Sequence, residues 1–171
     1  MATPFHAEVV TPERVLFSGE VDEVSMRTDV GEIAFLAHHT EFVGALDITV
    51  LTLNVLAGEE GASSGERTGA PLRFAVHGGF VHVADNRLVA LAGVAEPAAE
   101  IDVPRARAAL EAARERLGRE GEPTAPEGTA DANAPAGVPL SGARLALLAP
   151  GSAAAAVRRA EARLLAAGET L

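Results

Sequence analysis

The sequence predicts an α+β protein, in which an all-β head is followed by a helical tail. All six Phe residues lie within the first 80 positions. Residues 1–104 hold 16 acidic residues and five Arg, a net charge of −11, whereas residues 105–171 hold eight and nine, a net charge of +1. Runs with strand-like alternation stop near residue 100, and helical spacing begins after it. This asymmetry predicts a β-sandwich domain over 1–100 and a helical domain over 101–171.

The head is predicted to consist of short β-strands. Strand-like runs cover 5–10, 15–17, 21–26, 32–36, 48–56, 72–76, 80–84 and 88–91. Asp85-Asn86 separates the last two runs, and this pair favours a two-residue hairpin turn. Gly78-Gly79 is expected to shift the strand register. Strands this short and closely spaced predict an antiparallel sandwich, with the Gly/Ser-rich stretch over 58–71 as a long loop.

The tail is predicted to contain two helices. Asp102 can cap a helix over about 103–118, and a second helix over about 152–168 can end at Gly168. The expected apolar stripes are Ala106, Ala109, Leu110, Ala113 and Leu117 on the first helix and Val157, Ala160, Leu164 and Leu165 on the second. Residues 119–142 lack periodicity and are rich in Pro, Gly, Ala and Glu, which predicts a flexible linker. Because few of the stripe residues are bulky, we expect the tail to exchange between docked and extended forms.

The composition excludes several classes of chemistry. The chain has no Cys and no Lys, so it offers no thiolate metal ligand, no Schiff-base lysine and no phosphate-binding lysine of the Walker type. A formal net charge of −10 disfavours a nucleic-acid partner. No basic stretch followed by an apolar one marks a secretory signal, and the longest apolar stretch, 145–157, is too short to span a bilayer. The sequence therefore predicts a soluble intracellular protein.

Two motifs are weak indicators of catalysis. Residues 61–65, GASSG, match the pattern of a nucleophile elbow, but a loop surrounds them where that motif needs a strand and a helix. A zinc site built from His77, His82 and His39 is the second hypothesis, and no tight His pair supports it. Surface or interface histidines are the favoured interpretation.

The segment from Glu96 to Ala106 combines an acid, a capping Asp and an Arg at a strand-to-helix junction. Beside a helix N-terminus, Glu96, Asp102 and Arg105 could bind a ribose, a base edge and phosphates. The alternative interpretation is a plain helix cap with an Asp102–Arg105 pair. The residues by themselves leave both interpretations open.

Several segments, taken in order, form a pattern that is more specific than any one of them. They are Phe5–Arg14, Leu16–Val21, Gly31–Ile33 with His39, Gly78–Phe80, and Ile101–Ala106, which fits the motif Ile/Leu-Asp-x-x-Arg-Ala. Together they resemble the epsilon subunits of bacterial rotary ATP synthases. The resemblance covers nearly all of residues 4–118, and the predicted second helix agrees more loosely.

The resemblance implies a ten-stranded antiparallel β-sandwich followed by an antiparallel two-helix hairpin. It also implies a non-catalytic subunit of the central stalk, which couples rotation of the c-ring to ATP synthesis and inhibits ATP hydrolysis through its C-terminal helices. The implied partners are the gamma subunit, the c-ring, and the alpha and beta subunits of the catalytic head. The implied location is the cytoplasmic face of the cell membrane, as a peripheral part of the proton-translocating complex.

The resemblance also implies two sets of site residues. Regulatory ATP would be bound by Glu96, Asp102, Arg105, Arg158, Arg159 and Arg163. Contacts with the stalk partners would involve Gly31, Glu32, His38, His39, Gly78 and Gly79. Two other classes of function remain as alternatives: a β-sandwich ligand-binding module with a helical oligomerisation tail, and a small hydrolase or metalloenzyme.

Overall fold

The fold is described from a computed structural model, for residues 3–56, 69–120 and 151–171. The expected long loop over 58–71 lies outside these ranges except for its last three residues, and so does the expected linker over 119–142 except for its first two. The GASSG motif at 61–65 also lies outside them.

The head is a β-sheet that closes on itself. Its strands are β1 (Phe5–Val10), β2 (Val15–Thr28), β3 (Gly31–Leu36), β4 (Phe42–Val55), β5 (Leu72–Ala84), β6 (Arg87–Ala92) and β7 (Ala95–Pro97). The order is β1-β6-β5-β4-β2-β3, β7 pairs with β5, and β1 also pairs with β2. Five strands therefore form a closed ring whose two layers face each other, while β3 extends it at an edge.

The described residues differ from the expected sandwich in two details. The described residues form seven strands instead of ten, because β2, β4 and β5 continue for 14, 14 and 13 residues without a break. The runs predicted over 15–17 and 21–26 are thus parts of the one strand β2. In addition, β1 and β6 pair in parallel, whereas every other pairing of the described strands is antiparallel.

Strands β4 and β5 change the side that faces the core: Leu46 and Leu51 are both buried although five residues apart, and so are Val76 and Val81. Asp47 and Gly78 lie within this stretch, which we call the bend. Leu46 pairs with Gly79 and Ile48 with His77, so the register of β4 against β5 is the same on both sides of the bend. The double glycine therefore does not shift the register, contrary to expectation. It does allow close approach, because a Cβ on Gly79, whose φ is +139°, would lie 2.1 Å from the Leu91 carbonyl oxygen.

The core lies between the layers. Its largest fully buried side chains include Phe5, Phe35, Leu51, Leu53 and Leu88. The hairpin predicted at Asp85-Asn86 is confirmed: β5 and β6 pair antiparallel, and both turn residues have positive φ, 50° and 58°. These angles are those of a type I′ turn, which suits the twist of the flanking strands.

The tail contributes α1 (Val103–Glu120) and α2 (Ala153–Ala166), where the sequence predicts helices over about 103–118 and 152–168. Ser152 Oγ accepts a hydrogen bond from the Ala155 backbone N–H at 3.1 Å and so caps α2. At the other end Gly168 has a φ of +84°, and the Glu169 backbone N–H donates to the Leu164 carbonyl oxygen over 2.9 Å. A left-handed glycine with this contact ends a helix by satisfying its last carbonyl groups.

Helix α2 lies between α1 and the sheet. Toward α1 it buries Ala160 and Leu164 against Ala106 and Leu110, and toward the sheet it buries Ala162 and Ala166 against Ala75. Arg107, near the beginning of α1, pairs with Glu169, just after the end of α2, and Arg114 pairs with Glu161. The two helices therefore run in opposite directions. Three residues of the expected stripes, Ala109, Leu117 and Leu165, are exposed and belong to neither of the clusters that α2 forms with α1 and with the sheet.

Candidate functional site

An ion pair joins α2 to the sandwich. Arg163 of α2 donates from Nε and Nη2 to Glu96 Oε1 of β7, over 2.8 and 2.5 Å. Hydrogen bonding by Arg163 lowers the pKa of Glu96 below its usual 4.5, while burial opposes the shift. Glu96 is therefore ionised at neutral pH and attracts α2 to the sheet.

His77 of β5 lies close to this pair. Burial and the positive charges of Arg163 and Arg159 lower the pKa of His77 from 6.5 to about 4, against the opposing charge of Glu96. Within the described ranges its Nε2 atom is buried without a hydrogen-bond partner. The imidazole is therefore neutral at physiological pH, and the surface beneath α2 carries no additional positive charge there.

Asp102 and Arg105 lie at the beginning of α1. Asp102 Oδ1 accepts a hydrogen bond from the Arg105 backbone N–H at 3.0 Å, which is an N-cap contact. The expected cap is therefore present, but it uses the backbone of Arg105 and leaves its side chain exposed. The Arg105 charge also helps to lower the pKa of Glu96. Glu96, Arg105 and Arg163 are thus within electrostatic reach of one another beside the N-terminus of α1.

The other arginines of α2 have different neighbours. Arg158 donates from Nη2 to Asp47 Oδ2 of β4, and Arg159 acts on His77 through its charge. The six residues expected to bind ATP are therefore divided, because Arg158 contacts Asp47 whereas Arg163 and Arg105 act on Glu96, Arg159 acts on His77 and Asp102 caps α1. Sequence reasoning missed Asp47, although an acid directly before a β-branched run could have marked it.

A second candidate surface is an apolar row on the outside of the head. Five outward-facing residues on neighbouring strands form the row: Val15, Val10, Leu91, Phe80 and Ala45. Phe80 is 62% exposed and Leu91 50%, so these two large apolar side chains lie outside the core. The row borders a groove of about 390 Å³. Apolar side chains that stay exposed together mark interaction surfaces.

The polar side chains that border this face contact one another. Glu8 accepts from Arg87 Nη2 at 2.7 Å and lies 3.4 Å from His6 Nε2. His6 Nδ1 also lies 3.2 Å from Glu20 Oε1. With these groups already in contact with one another, the face offers a partner mainly apolar contact.

The residues expected to contact partners are spread around this face. Gly31 and Glu32 follow the β2–β3 turn, which reaches the row through a hydrogen bond from the Asp29 N–H to the Ala45 carbonyl oxygen. Gly78 and Gly79 directly precede Phe80. His38 and His39 lie at the opposite end, where the His38 N–H donates to Asn86 Oδ1 at 2.7 Å and the His39 ring contacts Phe35 and Phe42. The structure therefore does not bring Glu32 together with His38 and His39.

The zinc hypothesis is not supported by the placement of its histidines. His77 lies near α2, His82 is exposed on the outside of the head, and His39 belongs to the turn after β3. In the parts of the chain that the structure describes, no three His, Asp or Glu side chains are grouped so that they could hold a metal ion.

No described helix is long and apolar enough to cross a membrane.

Comparison with known proteins identifies relatives along most of the chain. Residues 4–98 match the family described as "ATP synthase, Delta/Epsilon chain, beta-sandwich domain". The ATP synthase epsilon chain of Carboxydothermus hydrogenoformans is 43% identical over 119 residues, which are 70% of this chain and 80% of that one. The epsilon chain of Streptomyces avermitilis is 39% identical over 125 residues, or 73% and 89% of the two chains.

A solved structure has the same fold. It is a chain in the OSCP/F1/c-ring assembly of the Euglena gracilis mitochondrial ATP synthase, with a TM-score of 0.53 and 25% sequence identity. The alignment covers 66% of this chain and 65% of that one.

Proposed function

This chain belongs to the ATP synthase delta/epsilon family, and we propose that it works as the epsilon subunit of a proton-translocating ATP synthase. The epsilon chain is a non-catalytic subunit of that complex, so this chain is a component of an enzyme and not an enzyme itself. In this role it couples rotation of the c-ring to ATP synthesis in the catalytic head and regulates ATP hydrolysis. It would lie at the cytoplasmic face of the cell membrane, held there by the complex.

The apolar row carries the proposal that the head binds the stalk. Phe80 and Leu91 are half exposed, and contact of their apolar surface with water is unfavourable in free energy. A partner with an apolar surface removes that cost by burying them. The gamma subunit is the partner proposed for this face. The β2–β3 turn with Glu32 and the turn with His38 and His39 border the same face, where they would contact gamma and the c-ring.

Binding to an isolated gamma subunit tests this proposal. Phe80→Glu places a charge in the middle of the row and should weaken binding at least tenfold in a titration followed by light scattering or calorimetry. Leu117→Glu makes the same kind of change on α1, at a residue that is 42% exposed, and should leave binding unchanged. Equal binding by all three proteins would remove the row from the interface. Self-association through the helices without affinity for gamma would favour the alternative, an oligomerising ligand-binding module.

The docked helices carry the proposed regulation. Arg158 and Arg163 attach α2 to Asp47 and Glu96 of the acidic head, and these arginines are exposed when α2 leaves it. An extended, basic α2 fits acidic surfaces of the alpha and beta subunits, where it would inhibit ATP hydrolysis. Docking therefore corresponds to the active complex and release to the inhibited one.

ATP is the proposed ligand of the docked form. Its phosphates carry the charge that Arg105, Arg159 and Arg163 could bind, and the N-terminus of α1 adds a favourable dipole. Glu96 is the acceptor suited to a ribose or base hydrogen-bond donor, and Asp102 fixes the beginning of α1. Bound there, ATP would bridge the head and α2 and so favour docking over release.

Calorimetry with ATP tests this site. Arg105→Ala should weaken binding about tenfold or more, since a charge-assisted phosphate contact contributes about 1.5–3 kcal/mol. Arg119→Ala is the matched control, because Arg119 lies in the last turn of α1, pairs with Glu115 of the same helix and should not touch the nucleotide. Absence of heat with the unmodified chain would leave Asp102 with its capping role alone.

A further inference from the structure

We propose that Asp47 couples the docking of α2 to the β2–β3 turn, because Arg27 and Arg158 compete for one of its oxygens. The coupling is a property of this chain alone. It goes beyond the proposed function and can be tested without any partner.

The observation behind the proposal is an alternating row of charges. Arg158 Nη2 of α2 contacts Asp47 Oδ2. Arg27 Nε of β2 lies 4.0 Å from the same oxygen. Arg27 Nη1 also lies 3.9 Å from Glu32 Oε1, its cross-strand neighbour on β3. This row of charges therefore runs from α2 through β4 and β2 to Glu32 of β3, directly after the β2–β3 turn.

Competition follows from how Asp47 is held. Its Oδ1 atom accepts a hydrogen bond from the Ile48 backbone N–H at 2.8 Å, which leaves Oδ2 for both arginines. Its side chain is only 16% exposed, so water replaces a lost arginine poorly. When Arg27 moves closer to Oδ2, its charge repels Arg158 and weakens the attachment of α2.

Arg27 has room to move between its two acids. It lines a cavity of about 440 Å³ together with Glu32, Ser25 and Thr49, and its side chain is 54% exposed. Asp47 lies at the bend where β4 passes from one layer to the other, between the face with the apolar row and the face that α2 covers. The row of charges thus spans the two functional faces of the head.

Linkage makes the coupling reciprocal. A contact that neutralises or occupies Glu32 releases Arg27 toward Asp47 and so favours release of α2. Conversely, release of α2 draws Arg27 to Asp47 and leaves Glu32 free. The turn and the helix are therefore expected to report on each other's state.

Hydrogen exchange of the α2 amides in the full chain tests the coupling. Glu32→Gln should lower their protection about two- to threefold, in the range of exposed ion pairs, and Arg27→Gln should raise it by a similar factor. In the Arg27→Gln background, Glu32→Gln should have no further effect, because the residue that transmits the change is gone. Glu13→Gln makes the same change at an exposed acid outside this row and should leave protection unchanged.

Two results would overturn the proposal. One is an unchanged α2 protection in Glu32→Gln, and the other is an equal loss with and without Arg27. Arg158→Gln calibrates the assay, since it removes the helix end of the row and should lower α2 protection about fivefold or more. A failure of the coupling would leave the proposed binding of gamma by the apolar row untouched, because that binding is measured with different variants.

Discussion

Leu164 and Leu165 provide the sharpest test of how α2 is held. They are neighbours on one helix, yet Leu164 is 3% exposed and Leu165 45%. Leu164 packs with Ala106, Leu110 and Ala160, a seam that is mostly alanine. Leu→Ala in a core costs about 2–5 kcal/mol, and the lower half of that range applies here because a surface helix can partly close the gap. At 1.4 kcal/mol per factor of ten, a loss of about 2–3 kcal/mol is about a 30- to 140-fold change in the docking equilibrium.

Amide hydrogen exchange measures this change residue by residue. In Leu164→Ala, protection of the α2 amides should fall by that factor, while protection of the β5 amides should stay as it is. In Leu165→Ala it should change by no more than about twofold, because exposed substitutions usually alter stability by less than about 0.5 kcal/mol. Both variants lose the same atoms, so helix propensity and the unfolded chain change alike.

Either of two results would refute this reasoning. If Leu165→Ala lowered protection as much as Leu164→Ala, the buried face of α2 would be assigned wrongly. If β5 lost protection together with α2, the tail and the head would open as one unit, and no separate docking equilibrium would exist.

Three further predictions concern His77 beneath α2, Gly79 at the bend and the N-cap of α2. The unfolded chain binds a proton at His77 below pH 6.5, whereas the folded chain binds one only near the lowered pKa of about 4. The free energy of unfolding should therefore be unaffected by this group above pH 6.5 and should fall as the pH falls toward 4. His77→Gln should flatten that part of a profile of urea midpoint against pH. Gly79→Ala should cost about 3 kcal/mol and lower the Tm by about 6 °C or more, while Gly93→Ala, whose Cβ would meet nothing within 4 Å, should melt like the unmodified chain. Ser152→Ala should lower α2 protection about fivefold, since loss of an N-cap costs about 1 kcal/mol; unchanged exchange there would contradict the cap.

Local chemistry could be predicted from the sequence, and pairing could not. The Asp85-Asn86 hairpin and the cap at Asp102 depend on residues close together in the chain, and both are present in the structure. The number of strands depends on whether a strand breaks at the bend or continues through it. No local pattern decides that, because Asp47 and Gly78 interrupt the alternation in either case.

The candidate site was predictable only in part for the same reason. Glu96 and Arg105 flank one short segment, and the sequence placed them together. That Arg163 reaches Glu96 while Arg158 reaches Asp47 depends on where α2 lies on the sheet, which the sequence does not state. The exposure of Phe80 likewise follows from the change of side that β5 undergoes at Gly78 and Gly79, which local alternation does not predict.

The central claim is that the head stays in the stalk while α2 either docks on it or leaves it to inhibit. The chain has no cysteine, so cysteines introduced at Ala75 and Ala162, which share one small cluster, form the only cysteine pair within this chain. ATP hydrolysis should be measured in a complex reconstituted with this variant, before and after reduction. We expect the oxidised complex to hydrolyse ATP without inhibition and the reduced one to be inhibited; equal inhibition in both would show that α2 regulates the enzyme without leaving the head.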